Sequence, residues 1–286
     1  MGILAGLLSM IFWGTAIFLA ALASRKLGNV LTLFWMQLFG FITGFIYFFI
    51  NFRTYNFISV PKIIPLLVII AILQAIAYLA FYKGLEKSQV SLVSPIGAAW
   101  GLVTAILGVI FLKEKLSGTQ IFSICFIVVG ILLLSININD FIKLKKINLL
   151  AGVNEGIIAM LGWGVSLFFL VFATKDLGWF LPAFIFRLFL LLFLSVFILY
   201  SHKPLIPKLE KFPFILLLLI GIFDIGGFFS YSYGVSSTSA SIVAPIGSAY
   251  ALVTVFLARI FLKENIDLNK TIGILAIIGG LVLISL

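Results

Sequence analysis

Residues 91–114 read SLVSPIGAAWGLVTAILGVIFLKE, and residues 241–264 read SIVAPIGSAYALVTVFLARIFLKE. The two stretches are identical at 15 of 24 positions, at an offset of 150 residues and without a gap. The same offset relates Trp13-Gly14 to Trp163-Gly164. Residues 151–286 therefore repeat residues 1–136, and the chain consists of two copies of one structural unit.

The composition places this unit in a membrane. Of the 286 residues, 63% are hydrophobic and only 10% are charged, which is too little polar surface for a soluble domain. The net charge of +10 comes from Lys and Arg residues in short loops between apolar runs, a pattern typical of membrane topology rather than nucleic-acid binding. With one cysteine, Cys125, and one histidine, His202, the chain offers no internal disulfide and no Cys/His metal spacing. We expect no cofactor.

Ten apolar runs are long enough to span a bilayer, which needs about 20 residues per helix. The predicted fold is an all-α integral membrane protein with ten transmembrane helices, arranged as two inverted five-helix repeats. The first repeat is predicted over residues 1–136, a polar linker over 137–148 and the second repeat over 149–286. An odd number of spans inserts the second repeat upside down. The predicted spans are residues 2–22, 30–50, 63–83, 89–112, 119–136, 149–173, 178–200, 212–233, 239–262 and 270–286.

The loop charges differ between the two membrane surfaces. We call the surface that holds both termini side A and the opposite one side B. Side A carries five loop Lys and Arg residues and side B carries 13, while Arg187 lies within a helix. The positive-inside rule would place side B in the cytoplasm.

The chain resembles the EamA-type transporters of the drug/metabolite transporter superfamily in four features. These are the five-span repeat, the Trp-Gly in the first helix of each copy, the proline in the fourth helix of each copy and the Lys-Glu at the end of that helix (Lys113-Glu114 and Lys263-Glu264). The resemblance covers the whole chain. It implies a small-molecule carrier in the cell membrane with a central cavity between the two halves. It also implies cytoplasmic termini, which disagrees with the charge count, and the orientation stays open.

Three ionisable residues lie at membrane depth, where a charge costs about 3 kcal/mol or more. Arg187 and Asp224 fall at matching depths on sequential antiparallel helices, which predicts an ion pair. Their repeat counterparts, Gln37 and Gln74, suggest an amide pair at the same place in the first repeat. The charged pair is interpreted as a structural tie or as a substrate-binding site. Glu155, near a helix start, is a candidate proton or ion carrier, as is Asp224; the alternative for Glu155 is stabilisation by the helix dipole.

Other residues are candidates for a transport site. Pro95 and Pro245 interrupt the backbone hydrogen bonds of the fourth and ninth spans and are candidate hinges, freeing carbonyls at Ser91 and Ser241. Lys83 is expected to extend to the interface, with a cation at the cavity mouth as the alternative. The predicted substrate-binding residues are Trp13, Tyr78, Tyr82, Ser91, Trp100, Trp163, Arg187, Asp224, Ser241 and Tyr250.

These features favour a secondary transporter of a small polar metabolite, an amino acid among the candidates, working by alternating access through a central cavity. The alternative is an exporter of drugs or amphipathic compounds, with a sugar or nucleotide-sugar carrier ranked below both. An enzyme is disfavoured because catalytic groups do not cluster at membrane depth. The expected partners are a small-molecule substrate and the bilayer, with a proton as the candidate coupling ion and no nucleic acid. The protein is expected to be a monomer or homodimer.

Overall fold

A computed structural model describes residues 1–87, 93, 96–135, 152–201, 205, 213–263 and 266–285. The described residues form helices at all ten predicted positions. Eight are long and apolar enough to cross a membrane, and the fourth and fifth are described as the shorter apolar helices 96–111 and 118–134. The ninth span is divided in two. The helices are α1 Gly2–Leu27, α2 Asn29–Ile50, α3 Val60–Lys87, α4 Trp100–Phe111, α5 Gly118–Ser135, α6 Val153–Leu177, α7 Phe180–Tyr200, α8 Phe214–Ser237, α9 Ala240–Ser248, α10 Tyr250–Phe261 and α11 Leu268–Ser285.

The helices of each repeat pack mainly against those of the other repeat. The most extensive contacts join α5 to α11, α1 to α8 and α3 to α6. The α1–α8 contact becomes the α3–α6 contact when each span is replaced by its repeat counterpart, and the α1–α10 contact becomes α4–α6 in the same way. These paired contacts show an intramolecular pseudo-two-fold axis between the two repeats.

The α5–α11 pair shows this symmetry at atomic detail. A Cβ built on Gly130 would lie 2.6 Å from the side chain of Ile277, and one built on Gly280 would lie 2.7 Å from the side chain of Ile127. Gly130 and Ile127 are the repeat counterparts of Gly280 and Ile277. The missing side chains let the two backbones approach closely, as in other membrane helix pairs with small residues at the contact.

The ninth span is interrupted four residues beyond its proline. Pro245 lies inside α9, and the helix breaks at Ala249, whose amide donates to Ile246 rather than to the fourth residue back. The bypassed carbonyl of Pro245 accepts a 2.9 Å hydrogen bond from the Ser248 hydroxyl. The fourth span has the same backbone geometry at Ala99. The matching interruptions divide each span into two segments, and α4 and α10 are the second segments along the chain.

Candidate functional site

Arg187, on α7, is the centre of a buried polar cluster. Its Nη2 lies 2.7 Å from Oδ2 of Asp224 on α8, so the predicted ion pair is present. Its Nη1 donates a 2.7 Å hydrogen bond to Oε1 of Gln37 on α2, and its Cζ lies 5.1 Å from the ring centre of Phe228. Arg187 is fully buried. Because a buried charge is stable only when it is paired and hydrogen-bonded, the cluster ties three helices together.

The amide pair expected in the first repeat is not formed. Gln37 accepts from Arg187, while Nε2 of Gln74 donates a 2.9 Å hydrogen bond to the hydroxyl of Ser166 on α6. The reason is the position of Gln37: it is the repeat counterpart of Arg187, and two counterparts touch only where they meet the pseudo-two-fold axis. Gln37 is therefore bound by the charged pair of the other repeat, and Gln74 bonds elsewhere.

The Trp-Gly pairs lie where a neighbouring helix crosses closely. The hydroxyl of Thr104 donates a 2.8 Å hydrogen bond to the carbonyl of Gly164, and that of Thr254 donates a 3.0 Å hydrogen bond to the carbonyl of Gly14. Cβ atoms built on these glycines would lie 2.6 Å and 2.5 Å from the Cβ atoms of two valines, Val103 and Val253. Both repeats therefore use glycine for the same close helix crossing.

Aromatic rings fill the bundle centre toward side A. The ring of Trp13 lies 5.2 Å from that of Phe228 and 5.7 Å from those of both Trp100 and Tyr231, with the first two contacts edge-to-face. All four residues are buried. We call them the side A cluster. The close ring contacts leave this half of the centre packed.

The counterparts of these rings form a looser group toward side B. The ring of Trp163 lies 5.3 Å from that of Tyr78 and 5.1 Å from that of Phe81. Tyr78, Phe81, Tyr82 and Tyr250 are all partly exposed. With Trp163 they are the side B cluster. These rings are therefore less completely covered than their counterparts in the side A cluster.

Two tyrosines of the side B cluster, Tyr78 and Tyr82, also lie near the polar cluster. Tyr78 is within electrostatic range of Tyr82 and Tyr250, and of both members of the Arg187–Asp224 pair. The arrangement offers phenol hydroxyls and ring faces beside a pair whose net charge is zero. It can bind a solute by stacking and by neutral hydrogen bonds.

Helices α4 and α10, the second segments of the fourth and ninth spans, differ in burial. One face of α4 is buried, whereas the five counterpart residues on α10 are all partly exposed. A Cβ built on Gly101 would meet the Ser248 side chain and would lie 2.7 Å from the carbonyl oxygen of Ala244, so α4 packs directly on α9. The buried residues are Trp100, Gly101, Thr104, Ala105 and Gly108, and their counterparts are Tyr250, Ala251, Thr254, Val255 and Ala258.

The other predicted residues are placed as follows. Ser241 is buried on α9, and its hydroxyl has no hydrogen-bond partner among the described residues. Glu155 is half-buried in the first turn of α6. A Cβ built on Gly84 would lie 3.0 Å from the Cβ of Glu155. Lys83 is exposed. Ser91 and Pro95 lie outside the described residues.

Sequence reasoning missed one functional candidate, Glu114. The residue was noted only as part of a repeated Lys-Glu at the end of a helix. In the structure its carboxylate accepts hydrogen bonds from the amides of Ala240 and Ser241, at 2.8 Å and 2.9 Å. The recurrence of the Lys-Glu in both repeats was the available signal.

Comparisons with known proteins agree with the two-repeat architecture. The model of the EamA-like transporter family matches residues 1–136 and again 150–286. An uncharacterized protein of Methanocaldococcus jannaschii, MJ1333.1, is 34% identical over 137 residues, which is 47% of this chain and 96% of that protein. That relative therefore has about the length of one repeat.

A solved structure, described as "Crystal structure of protein", shares the fold with a TM-score of 0.78 at 12% identity, covering 99% of this chain and 95% of that one. The family match covers both repeats and nearly the whole chain. The protein is thus a multi-pass integral membrane protein that belongs to the EamA-like transporter family.

Proposed function

We propose that this membrane transporter is a secondary carrier of a small polar metabolite and works by alternating access. The observation that carries the proposal is the unequal burial of the counterpart faces of α4 and α10. Two repeats in the same conformation would expose these faces equally. An inverted-repeat carrier that is closed at side A and open at side B has one of these faces buried and its counterpart partly exposed.

The solute site proposed is the side B cluster, the part of the bundle centre whose rings are partly exposed. The hydroxyls of Tyr78, Tyr82 and Tyr250 supply donors and acceptors, and the ring of Trp163 supplies a flat surface. The charge of Arg187 is balanced by Asp224, so this pair does not offer an unpaired cation to an anionic solute. A neutral or zwitterionic metabolite fits these groups, and an amino acid is one solute of that kind.

A second candidate function, transport of drugs or amphipathic compounds, is favoured by the aromatic rings of the same cluster. Aromatic rings bind apolar solutes and organic cations through their faces, without using the tyrosine hydroxyls. The two functions therefore differ in whether the hydroxyls matter.

Proton coupling is also part of the proposal, with Glu155 as the first candidate. It lies at the side B end of α6 and is half-buried. Asp224, the other candidate, is held by Arg187, and its protonation would break the buried ion pair. A carrier that uses Asp224 would have to rearrange the polar cluster in each cycle.

The test is a thermal-shift screen of purified protein in mild detergent, followed by flux measurements in liposomes. The panel holds amino acids, sugars, nucleosides and hydrophobic cations at two pH values, since a ligand of the folded state raises its stability. For a polar ligand, we expect Tyr82→Phe to weaken binding roughly tenfold, the size of one lost hydrogen bond. Tyr200→Phe removes the same hydroxyl from an exposed helix end and is the matched control.

The outcomes separate the candidate functions. Stabilisation by hydrophobic cations alone, insensitive to Tyr82→Phe, would replace the metabolite carrier with the amphipathic one. A pH dependence of flux that is unchanged in Glu155→Gln would exclude Glu155 as the coupling residue. Liposomes that show no flux of any stabilising compound would contradict carrier function.

A further inference from the structure

The carboxylate of Glu114 is bound by the start of a helix from the other repeat. Each of its two oxygens accepts one backbone hydrogen bond, from Ala240 at 2.8 Å and from Ser241 at 2.9 Å. Ala240 and Ser241 begin α9, where the first amides of a helix have no partner within the helix. A carboxylate at this place also interacts favourably with the positive end of the helix dipole.

The turn after α4 is shaped to direct this carboxylate. The amides of Leu112 and Glu114 both donate to the carbonyl of Gly108, and Lys113 between them adopts a left-handed φ of 55°. A Cβ built on Gly108 would lie only 2.6 Å from Oε2 of Glu114, so the glycine leaves the space that the carboxylate occupies. The repeat counterpart of Gly108 is Ala258.

The contact lies at the side A end of the seam between α4 and α9. Further from side A along the same interface, Gly101 packs against Ala244 and Ser248, and Ser248 is 1% exposed. Tyr231 of α8 is fully buried and within electrostatic range of Glu114. The two cations nearest in sequence, Lys113 and Lys115, are exposed. The hydrogen bonds to the amides of α9 join Glu114, in the first repeat, to the second repeat.

We infer that Glu114 is the residue that locks side A: its carboxylate clamps the start of α9 against α4, and side A opens only when this contact is released. The inference rests on the proposed alternating access, because a lock has a role only in a protein that also opens at that side. Glu114 is a positioning residue for transport and need not touch the solute.

The test measures how accessible the seam is from side A. The native cysteine is removed by Cys125→Ser, and the reporter Ser248→Cys is introduced in the seam. A charged, membrane-impermeant maleimide is applied to vesicles in which side A, identified by an N-terminal tag, faces outward. Glu114→Gln keeps the shape of the side chain but presents an NH₂ donor to one of the two amide donors. We expect labelling about tenfold faster than with Glu114 intact, as for the loss of a charge-assisted contact.

A second variant leaves Glu114 in place. Gly108→Ala copies the second repeat and favours the helix, but its Cβ displaces the carboxylate, so we expect faster labelling from side A here as well. Lys115→Gln removes a neighbouring exposed charge and should leave labelling unchanged. Unchanged labelling in both Glu114→Gln and Gly108→Ala, with the proteins folded and monodisperse, would overturn the lock. So would equally faster labelling in Lys115→Gln, because that would be a charge effect.

The lock and the carrier function fail separately. Faster labelling in the two lock variants supports the lock even if no solute of the panel crosses liposomes, and that result would count against the carrier alone. Solute flux with unchanged labelling would overturn the lock and leave the carrier standing.

Discussion

Arg187 and Asp224 show how a charge is kept at membrane depth. The pair is neutral as a unit, and the guanidinium has three kinds of partner: a carboxylate, an amide oxygen and an aromatic ring. Since both terminal nitrogens of Arg187 are engaged, the geometry favours the structural interpretation of the pair. A solute that bound Arg187 directly would have to displace one of these partners.

We expect Arg187→Gln to destabilise the protein by about 3 kcal/mol, because it leaves Asp224 buried without its counter-ion. Adding Asp224→Gln should restore most of the loss, since two amides replace two charges. The measurement is thermal unfolding in detergent, with yield as a second readout. A double variant as unstable as the single one would contradict the structural tie, and a stable double variant without flux would assign the pair to the transport cycle.

The sequence predicted the ion pair but not its setting. Matching depths on antiparallel helices were enough to join Arg187 to Asp224. The capture of Gln37 was not predicted, because it depends on where α2 and α7 meet at the pseudo-two-fold axis. The role of Glu114 was missed for a similar reason: a Lys-Glu at a helix end is normally solvated, and its partner lies 126 residues away in the chain.

At the scale of the elements, the two Trp-Gly pairs have one explanation. The tryptophans pack against other rings in the centre. The glycines let α4 cross directly over α6 and let α10 cross directly over α1. The sequence predicted the two tryptophans as substrate-binding residues and gave no role to the glycines. The structure shows tight packing at both glycines.

Gly14→Ala and Gly164→Ala should each destabilise the protein by about 1–3 kcal/mol, the usual cost of an overpacked site. At Gly14 the new Cβ would also lie 2.7 Å from the carbonyl oxygen of Tyr250, a backbone atom that cannot move aside cheaply. Gly279→Ala is the control, because its Cβ would meet no atom within 4 Å. Equal unfolding temperatures for the three variants would refute the close crossing.

At the scale of the whole molecule, the sequence predicted the architecture well. The repeat offset, the odd number of spans and the apolar lengths together specify an inverted five-helix repeat, and the structure has this fold. The difference between the halves could not be predicted. Trp100 and Tyr250, or Thr104 and Thr254, occupy equivalent places in similar sequences, so local patterns do not say which face is covered.

The central claim is that equivalent positions of the two repeats lie in opposite states, closed at side A and open at side B. It is tested by single cysteines at Ala105 and at its counterpart Val255, each in a Cys125→Ser background. In oriented vesicles, an impermeant maleimide is applied from the surface that each position would face if its half were open, side B for Val255→Cys and side A for Ala105→Cys. The account predicts that Val255→Cys is labelled and that Ala105→Cys, on the covered face of α4, is not. Equal labelling of the two positions would contradict it.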